Sequence, residues 1–370
     1  MPLSAQLPGQ AYDVGLAGLR SIDPRPESLP QRVWESVQRD ELPPQTDQGR
    51  MKFVMNNLVL HIHPGVVPHV RGSDGLLWSL AYPGVMSGFV NSMVDMYKDG
   101  GLIPRGPAGG NYTYVMTGAS STPFIVAAYL KGIRDFDVET AYAGMVKNAG
   151  PGGMMAHAGY EHHTALGGGI EYYIDRGYVP DPRGLVAIRT GAYHVSGAGQ
   201  TLEYAYQDWA LAQMASALGR TDDATRFSGR AGNYKNIFDP RLKMMRPRTI
   251  WGTWLRPFNP ESRVGWVEAN ALQSTWYVPQ DPAGLIELMG GPEEFSRRLD
   301  QAFKEAEPRG FVQDGPSYKG AINYGNQPNM HVAWLFHYAG KPWLSGIWVR
   351  RVKETMYGAT GPEAGYHGDE

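Results

Sequence analysis

The sequence predicts an all-α fold, a bundle or toroid of antiparallel helix pairs. Three observations carry that prediction. Apolar residues recur at spacings of three and four in stretch after stretch. The stretches come in pairs split by short Gly- or Pro-marked turns. No convincing series of alternating strands interrupts them. A strict repeat of 33 to 47 residues is not visible, which weakens a solenoid reading.

Residues 1–50 are Pro-rich and polar with one helical patch, "PESLPQRVWESVQRDE", and read as an arm or linker helix against a larger body at 51–370. In "GVMSGFVNSMVDMYKDGG", Val85, Phe89, Met93 and Met96 share one helical face, and Gly100 and Gly101 stop it. "TPFIVAAYLKGIRDFDVETAYAGMVKNAG" reads as two helices with a turn near Gly132 to Asp137. "QTLEYAYQDWALAQMASALGRTDDATRFSGRAGNYKNIFDP" is a second pair. Gly219 ends its first helix, and Thr221 or Asp222 is placed to cap the next. "DPAGLIELMGGPEEFSRRLDQAF" and "MHVAWLFHYAGKPWLSGIWVRRVKETMY" complete the set, and "MMRPRTIWGTWLRPFN" suits short hairpins in a loop.

Composition bounds the function. With 370 residues, 42% hydrophobic and 19% charged, the chain can form one large domain or two ordinary ones. A net charge of -2 supplies no basic field for nucleic acid or an anionic membrane. The absence of Cys excludes disulfides, thiolate nucleophiles and zinc–thiolate sites. "MPLSAQLPGQAYDVG" does not read as a signal peptide, and no apolar run reaches the ~18 residues of a membrane span, so a soluble chain is expected. Ten Trp, 21 Tyr, 47 Gly and 28 Pro suit helices joined by shaped loops around an aromatic-walled pocket, or a loop-rich core without a site.

Four clusters have chemical potential. "AHAGYEHHTALGGG" holds His157, Glu161, His162 and His163, but the His-Glu-x-x-His pattern is absent and the glycines argue for a loop rather than a zinc helix. His61 and His63 share one side of an extended segment, where packing or capping outweighs metal ligation. Glu268 and Asn270 sit between Trp266 and Trp276, as a sugar or calcium site built from hard oxygens would have them, and equally as a buried, satisfied polar network would. Asp369 and Glu370 close the chain in a Gly-rich stretch.

Taken in order, "LEYAYQDWALAQMASALG", "VGWVEANALQSTWYVPQDPAGLIELMGG", "YGNQPNMHVAWLFHYAGKPW" and the final "GDE" resemble glycoside hydrolase family 92. The family's versions read roughly Leu-Glu-Tyr-Ala-Tyr-Asp-Asp-Trp, Gly-Phe-x-Glu-Gly-Asn, Gly-Asn-Glu-Pro and Gly-Asp/Asn-x-Asp. The resemblance implies a calcium-dependent, inverting, exo-acting α-mannosidase with an (α/α)6-barrel, secreted or periplasmic, whose partners are mannose-containing glycans. It implies also that a β-sandwich domain precedes the barrel and a last helix follows the terminal acids, so the barrel is expected to be incomplete and to leave an apolar seam along "WLSGIWVRRVKETMY". The family's Leu-Trp-Asp-x-x-Arg element is altered: "LLWSLAYP" keeps Trp78 but has Ser79 for the acid.

By the same resemblance, Gln327 stands where the family's general acid is expected, and Asp369 matches the first acid on the base side. An amide cannot give up a proton. General-acid help is worth ~10²–10⁴ in rate. A sugar alcohol with a pKa of about 15 leaves badly without it, whereas a phosphate monoester, second pKa about 6, does not need it. The substitution therefore points to mannosyl phosphate as substrate, in mannose-1-phospho-6-mannose caps. An ordinary exo-α-1,2-mannosidase and an inactive or carbohydrate-binding relative are the alternatives. The resemblance further implies calcium near Asn326, Gln327 and Glu268, and a pocket shaped by Trp78, Glu268, Trp276, His331 and Trp343.

Overall fold

A computed structural model describes residues 79, 83–105, 112, 114, 116–157, 168–181, 196–312 and 319–356. Eleven α-helices lie within these residues. They are α1 (Pro83–Gly100), α2 (Ser121–Leu130), α3 (Val138–Asn148), α4 (Ile170–Arg176), α5 (Gly197–Ala217), α6 (Thr221–Ala231), α7 (Ala271–Ser274), α8 (Pro282–Met289), α9 (Pro292–Ala306), α10 (Leu335–Tyr338) and α11 (Pro342–Met356). The extended structure among them is one two-stranded hairpin, β1 (Phe238–Asp239) against β2 (Met244–Met245), and an isolated antiparallel bridge between Arg248 and Trp254. The expected short hairpins lie in that loop. The mainly helical class holds, and the expected arm over residues 1–50 lies outside the described residues.

The helix pairs follow their punctuation. In α1, Val85, Phe89 and Met93 are buried and Met96 is partly so; Gly101, at φ 80°, donates to the Tyr97 carbonyl and turns the chain away. Asp137 caps α3 by accepting from Thr140 N at 3.0 Å. Gly219, at φ 71°, ends the α5 segment as expected. The cap of α6 differs: Arg220 occupies the N-cap, Thr221 and Asp222 are inside the first turn, and no side chain caps the helix. Their acids Asp222 and Asp223 instead meet the positive end of the helix dipole. Between α8 and α9, Asp281 caps the first helix and Gly290 and Gly291 take positive φ, with Pro292 opening the second.

Two apolar cores result, and α5 serves both. Tyr204, Leu211, Met214 and Ala215 face the first, with α1 to α4 and Phe227. Ala198, Leu202 and Ala205 face the second, with the hairpin and α7 to α11. Along the seam segment, Trp343 and Ile347 are exposed on α11, and Trp334 and Tyr338 stand exposed just before it.

Candidate active site

Where the two cores meet, a cleft opens beside the N-terminal half of α5. Gly199, Leu202 and Glu203 form one wall, Thr117 and Ser120 a second, and Val267, Ala269, Tyr277, Asn326 and Pro328 the rest. The helix start is fixed by a buried carboxylate: Asp181 accepts from Gly197 N at 2.8 Å and Ala198 N at 2.7 Å. These are donors that a helix N-terminus cannot satisfy internally. Gly199 N then donates to the Gly265 carbonyl at 2.9 Å, so the 265–270 loop lies directly on the helix.

Buried amides hold that loop in shape. Asn270, with no exposed surface, caps α7 by accepting from Gln273 N at 3.0 Å and donates to the Gly320 carbonyl at 3.1 Å. Gln273 donates to the same carbonyl, and Asn329 donates to the Gln273 carbonyl at 3.0 Å while accepting from Asn323 N at 2.9 Å. Asn and Gln suit this role because each carries donor and acceptor without charge, so no ion needs to be desolvated. The lacing joins the 265–275 loop to the 319–330 loop.

The residues singled out in the sequence sit as follows. Glu268 is half-buried on the laced loop in the left-handed region, φ 51°, with its carbonyl accepting from Asn326 Nδ2 at 2.9 Å. A non-Gly residue in that conformation is strained and persists only where its surroundings over-determine it. Gln327 opens a 3-10 turn, Gln327–Asn329, and is 4% exposed; its Nε2 has no hydrogen-bond partner among the described residues. His331 Nε2 lies 3.1 Å from the Trp276 carbonyl, and since a carbonyl only accepts, Nε2 carries the proton. The structure thus ties the Glu268 backbone to Asn326, the residue before Gln327.

The other aromatic candidates are dispersed. The Trp276 side chain lines a separate groove of about 290 Å³ with Lys243, Arg297 and Arg298, and packs edge-on to Phe295. Trp343 is 58% exposed on α11 with Lys341 Nζ 5.5 Å from its ring centre, and is not among the residues lining the cleft. Ser79, where the resemblance implies a sugar-gripping acid, is buried and accepts from Lys131 Nζ at 2.9 Å. Trp78, Asp369, Glu370, His61, His63, Glu161, His162 and His163 lie outside the described residues. His157 stacks on Tyr114 at 4.3 Å, and burial, then the nearby Arg105 charge, lowers its pKa. Asn270 belongs to a buried amide network, and Glu268 lies two residues before it in the chain, between the cleft-lining residues Val267 and Ala269.

Among the described residues no group of three or more His, Cys, Asp or Glu converges on a metal position. The donor set near the turn is different in kind: amide oxygens of Asn326 and Gln327, and the carboxylate of Glu268. These are hard oxygen donors of the type calcium takes. Turning the Gln327 amide about its last bond would put its oxygen where the unpartnered Nε2 stands. In donor chemistry the set fits a calcium ion whose shell is completed by water or ligand hydroxyls.

No helix among the described residues is long and apolar enough to cross a membrane. Known proteins resemble the chain as follows. A family GH92 α-mannosidase from Bacteroides thetaiotaomicron, solved also with mannoimidazole, is 29% identical with a TM-score of 0.67, over 82% of this chain and 36% of that one. An inverting family GH92 mannosidase from the same organism is 29% identical with a TM-score of 0.67, over 83% of this chain and 40% of that one. An uncharacterized secreted glycosidase of Arthroderma benhamiae is 25% identical over 289 residues, 68% of this chain and 33% of that protein. The chain thus spans between a third and two-fifths of the length of these relatives. Residues 74–370 match the glycosyl hydrolase family 92 catalytic domain, and the chain belongs to that family.

Proposed function

We propose that this chain carries the catalytic site of a secreted, calcium-dependent glycoside hydrolase that removes terminal α-mannose with inversion, on an (α/α)6-barrel scaffold. The observation that carries the reading is the cleft lined by Glu203, by Val267 and Ala269 on either side of Glu268, and by Asn326 and Pro328 on either side of Gln327. The relatives named above as mannosidases support the sugar, and the inverting mannosidase supports the stereochemistry.

Inversion needs a proton donor and a base. Gln327 cannot donate a proton to a leaving alkoxide. Glu268 can: it is the carboxylic acid on the laced loop, between the cleft residues Val267 and Ala269. We assign it the donor role, with Asp369 as the base that activates water. Calcium would be held in this reading by the amide oxygens of Asn326 and Gln327 and would organise adjacent sugar hydroxyls, with Glu268 carrying the proton rather than ligating the ion. The alcohol-leaving α-mannoside is then the preferred substrate. A second reading keeps Gln327 at the leaving group: its buried, unpartnered Nε2 is suited to donate to a phosphate oxygen without repulsion, as cleavage of α-mannosyl phosphate needs.

Methyl α-mannoside and α-mannosyl phosphate, each tested on Glu268→Gln and Gln327→Glu, decide between them. The first reading expects Glu268→Gln to lower the methyl mannoside rate by ~10²–10⁴ and to affect the phosphate far less. If the unaltered protein prefers the phosphate and Gln327→Glu raises the alcohol rate, the second reading stands. If Gln327→Glu leaves the ratio of rates unchanged and Glu268→Gln affects both substrates alike, neither assignment survives.

A further inference from the structure

The cleft contains a carboxylate with no part in the chemistry above. Glu203 lies on the first turns of α5, half-buried on a helix whose neighbouring residues Leu202, Tyr204 and Ala205 are buried. One helical turn on, Gln207 is 1% exposed and shares its face. Gln207 Nε2 donates to Glu203 Oε2 at 3.1 Å, and Gln207 Oε1 accepts from Ala119 N at 2.6 Å.

The orientation of that amide follows from its partners. Ala119 N–H can only donate, so the amide oxygen must face it, and the amide NH2 must then face Glu203. A donor fixed on a carboxylate favours its ionised form. The loop that sets the amide is itself held. Arg105, wholly buried, donates to the Gly118 carbonyl and, at 2.8 Å, to the Tyr114 carbonyl. Gly118 has φ 81°, and a Cβ there would come within 2.4 Å of Gln207 Nε2, so a side chain at this position would be strained and would displace the Gln207 amide. Arg105, the 114–119 loop and Gln207 form one relay that ends on the Glu203 carboxylate, beside Thr117, Ser120, Tyr277 and Asn326 in the cleft wall.

We propose that Glu203 is a ligand-contacting carboxylate that accepts hydrogen bonds from hydroxyls of the terminal pyranose, and that Gln207 is the positioning residue that sets it. The inference rests on the mannose reading above. A carboxylate accepts from a hydroxyl more strongly than a neutral acceptor does, and one already oriented by a buried amide loses little freedom when the sugar arrives.

The test is a double-mutant cycle read by calorimetric binding of mannoimidazole to the unaltered protein, Glu203→Gln, Gln207→Met and the double variant, with melting temperature followed for each. Glu203→Gln is expected to weaken binding by about tenfold or more. Gln207→Met should weaken it somewhat less, and the double variant no more than Glu203→Gln alone, because Gln207 acts through Glu203. A residue with only a structural role would lower the melting temperature without this non-additivity. If Gln207→Met does not fold, Gln207→Glu keeps the length, removes the donation to Glu203, and should also weaken binding. Binding by folded Glu203→Gln within twofold of the unaltered protein overturns the inference. Penalties that simply add overturn the positioning role. Failure of the unaltered protein to bind mannoimidazole would overturn the mannose reading itself, whereas binding that Glu203→Gln leaves intact overturns this inference alone.

Discussion

The two halves that meet at α5 are held by different forces. From α1 to α6 the interior is mostly apolar side chains on regular helices, with a buried ion pair, Arg230 Nε to Asp208 Oδ2 at 2.7 Å, tying α6 to α5, and the Arg105–Gln207 relay as its polar part. From residue 265 onward helices still supply apolar mass, but the loops that line the cleft are fixed by Asn270, Gln273, Asn323 and Asn329. Apolar packing fixes volume without direction. Hydrogen-bonded amides fix direction, which is what a group such as Glu268, in a left-handed backbone, requires. The site lies on the directional side of the seam and uses the rigid helix of the other side as its wall.

The largest expected effect breaks the first half. Arg230→Met leaves the Asp208 carboxylate buried and unpaired, at a cost of about 3–5 kcal/mol by thermal or denaturant unfolding. The effect depends on pH with a definite sign. Burial raises the Asp208 pKa to about 6 against the pull of Arg230. Between about pH 4, the unfolded value, and pH 6, the folded state holds a proton that the unfolded chain releases. Asp208's contribution to stability therefore falls as pH rises through that window. Removing Arg230 raises the folded pKa further, so the deficit of the variant should be greater at pH 7 than at pH 5.

Calcium sharpens the second half. Free calcium ~100-fold above its Kd would stabilise the native state by about 2.7 kcal/mol. Addition of a chelator should therefore lower the melting temperature, reversibly, and Asn326→Ala should abolish that response. An unchanged melting curve would remove calcium from the site. Asn270→Ala removes the α7 cap and one bond to Gly320, for which about 0.5–2 kcal/mol is expected. Its effect on turnover should exceed what that loss explains, because the Glu268 loop loses its direction. The smallest change is Glu294→Ala. Glu294 accepts from Arg297 and Arg298 at the surface, which hold its carboxyl down at about 2. Such exposed pairs contribute little, and melting and activity should both stay at the level of the unaltered protein.

The helix pairs were legible in the sequence because glycines and prolines mark their ends and apolar residues mark their faces. The boundary that misled was α6, where Thr221 and Asp222 have capping chemistry but Arg220 holds the position. The amide lattice was far less visible. Asn and Gln have no periodicity, and nothing in sequence spacing says that Asn270 and Gln273 share the carbonyl of Gly320. Glu268, Asn326 and Gln327 stand out by motif, and the structure links the first two through the Glu268 carbonyl. Glu203 and Gln207 lie in a stretch that reads as helix and as a family motif, and their spacing of four is the signal that they share a face. Trp276 and Trp343 lie apart from the cleft lining, since aromatic residues near a motif in sequence need not share one pocket. Trp276 faces a groove of its own, and Trp343 faces solvent.

The measurement that tests the central claim most directly is a proton NMR time course of methyl α-mannoside with the protein and calcium, watching the anomeric signals of released mannose. The account predicts that β-mannose appears first and mutarotates later, and that Glu268→Gln suppresses its release. Release of α-mannose first, or release of β-mannose at full rate from Glu268→Gln, would contradict it.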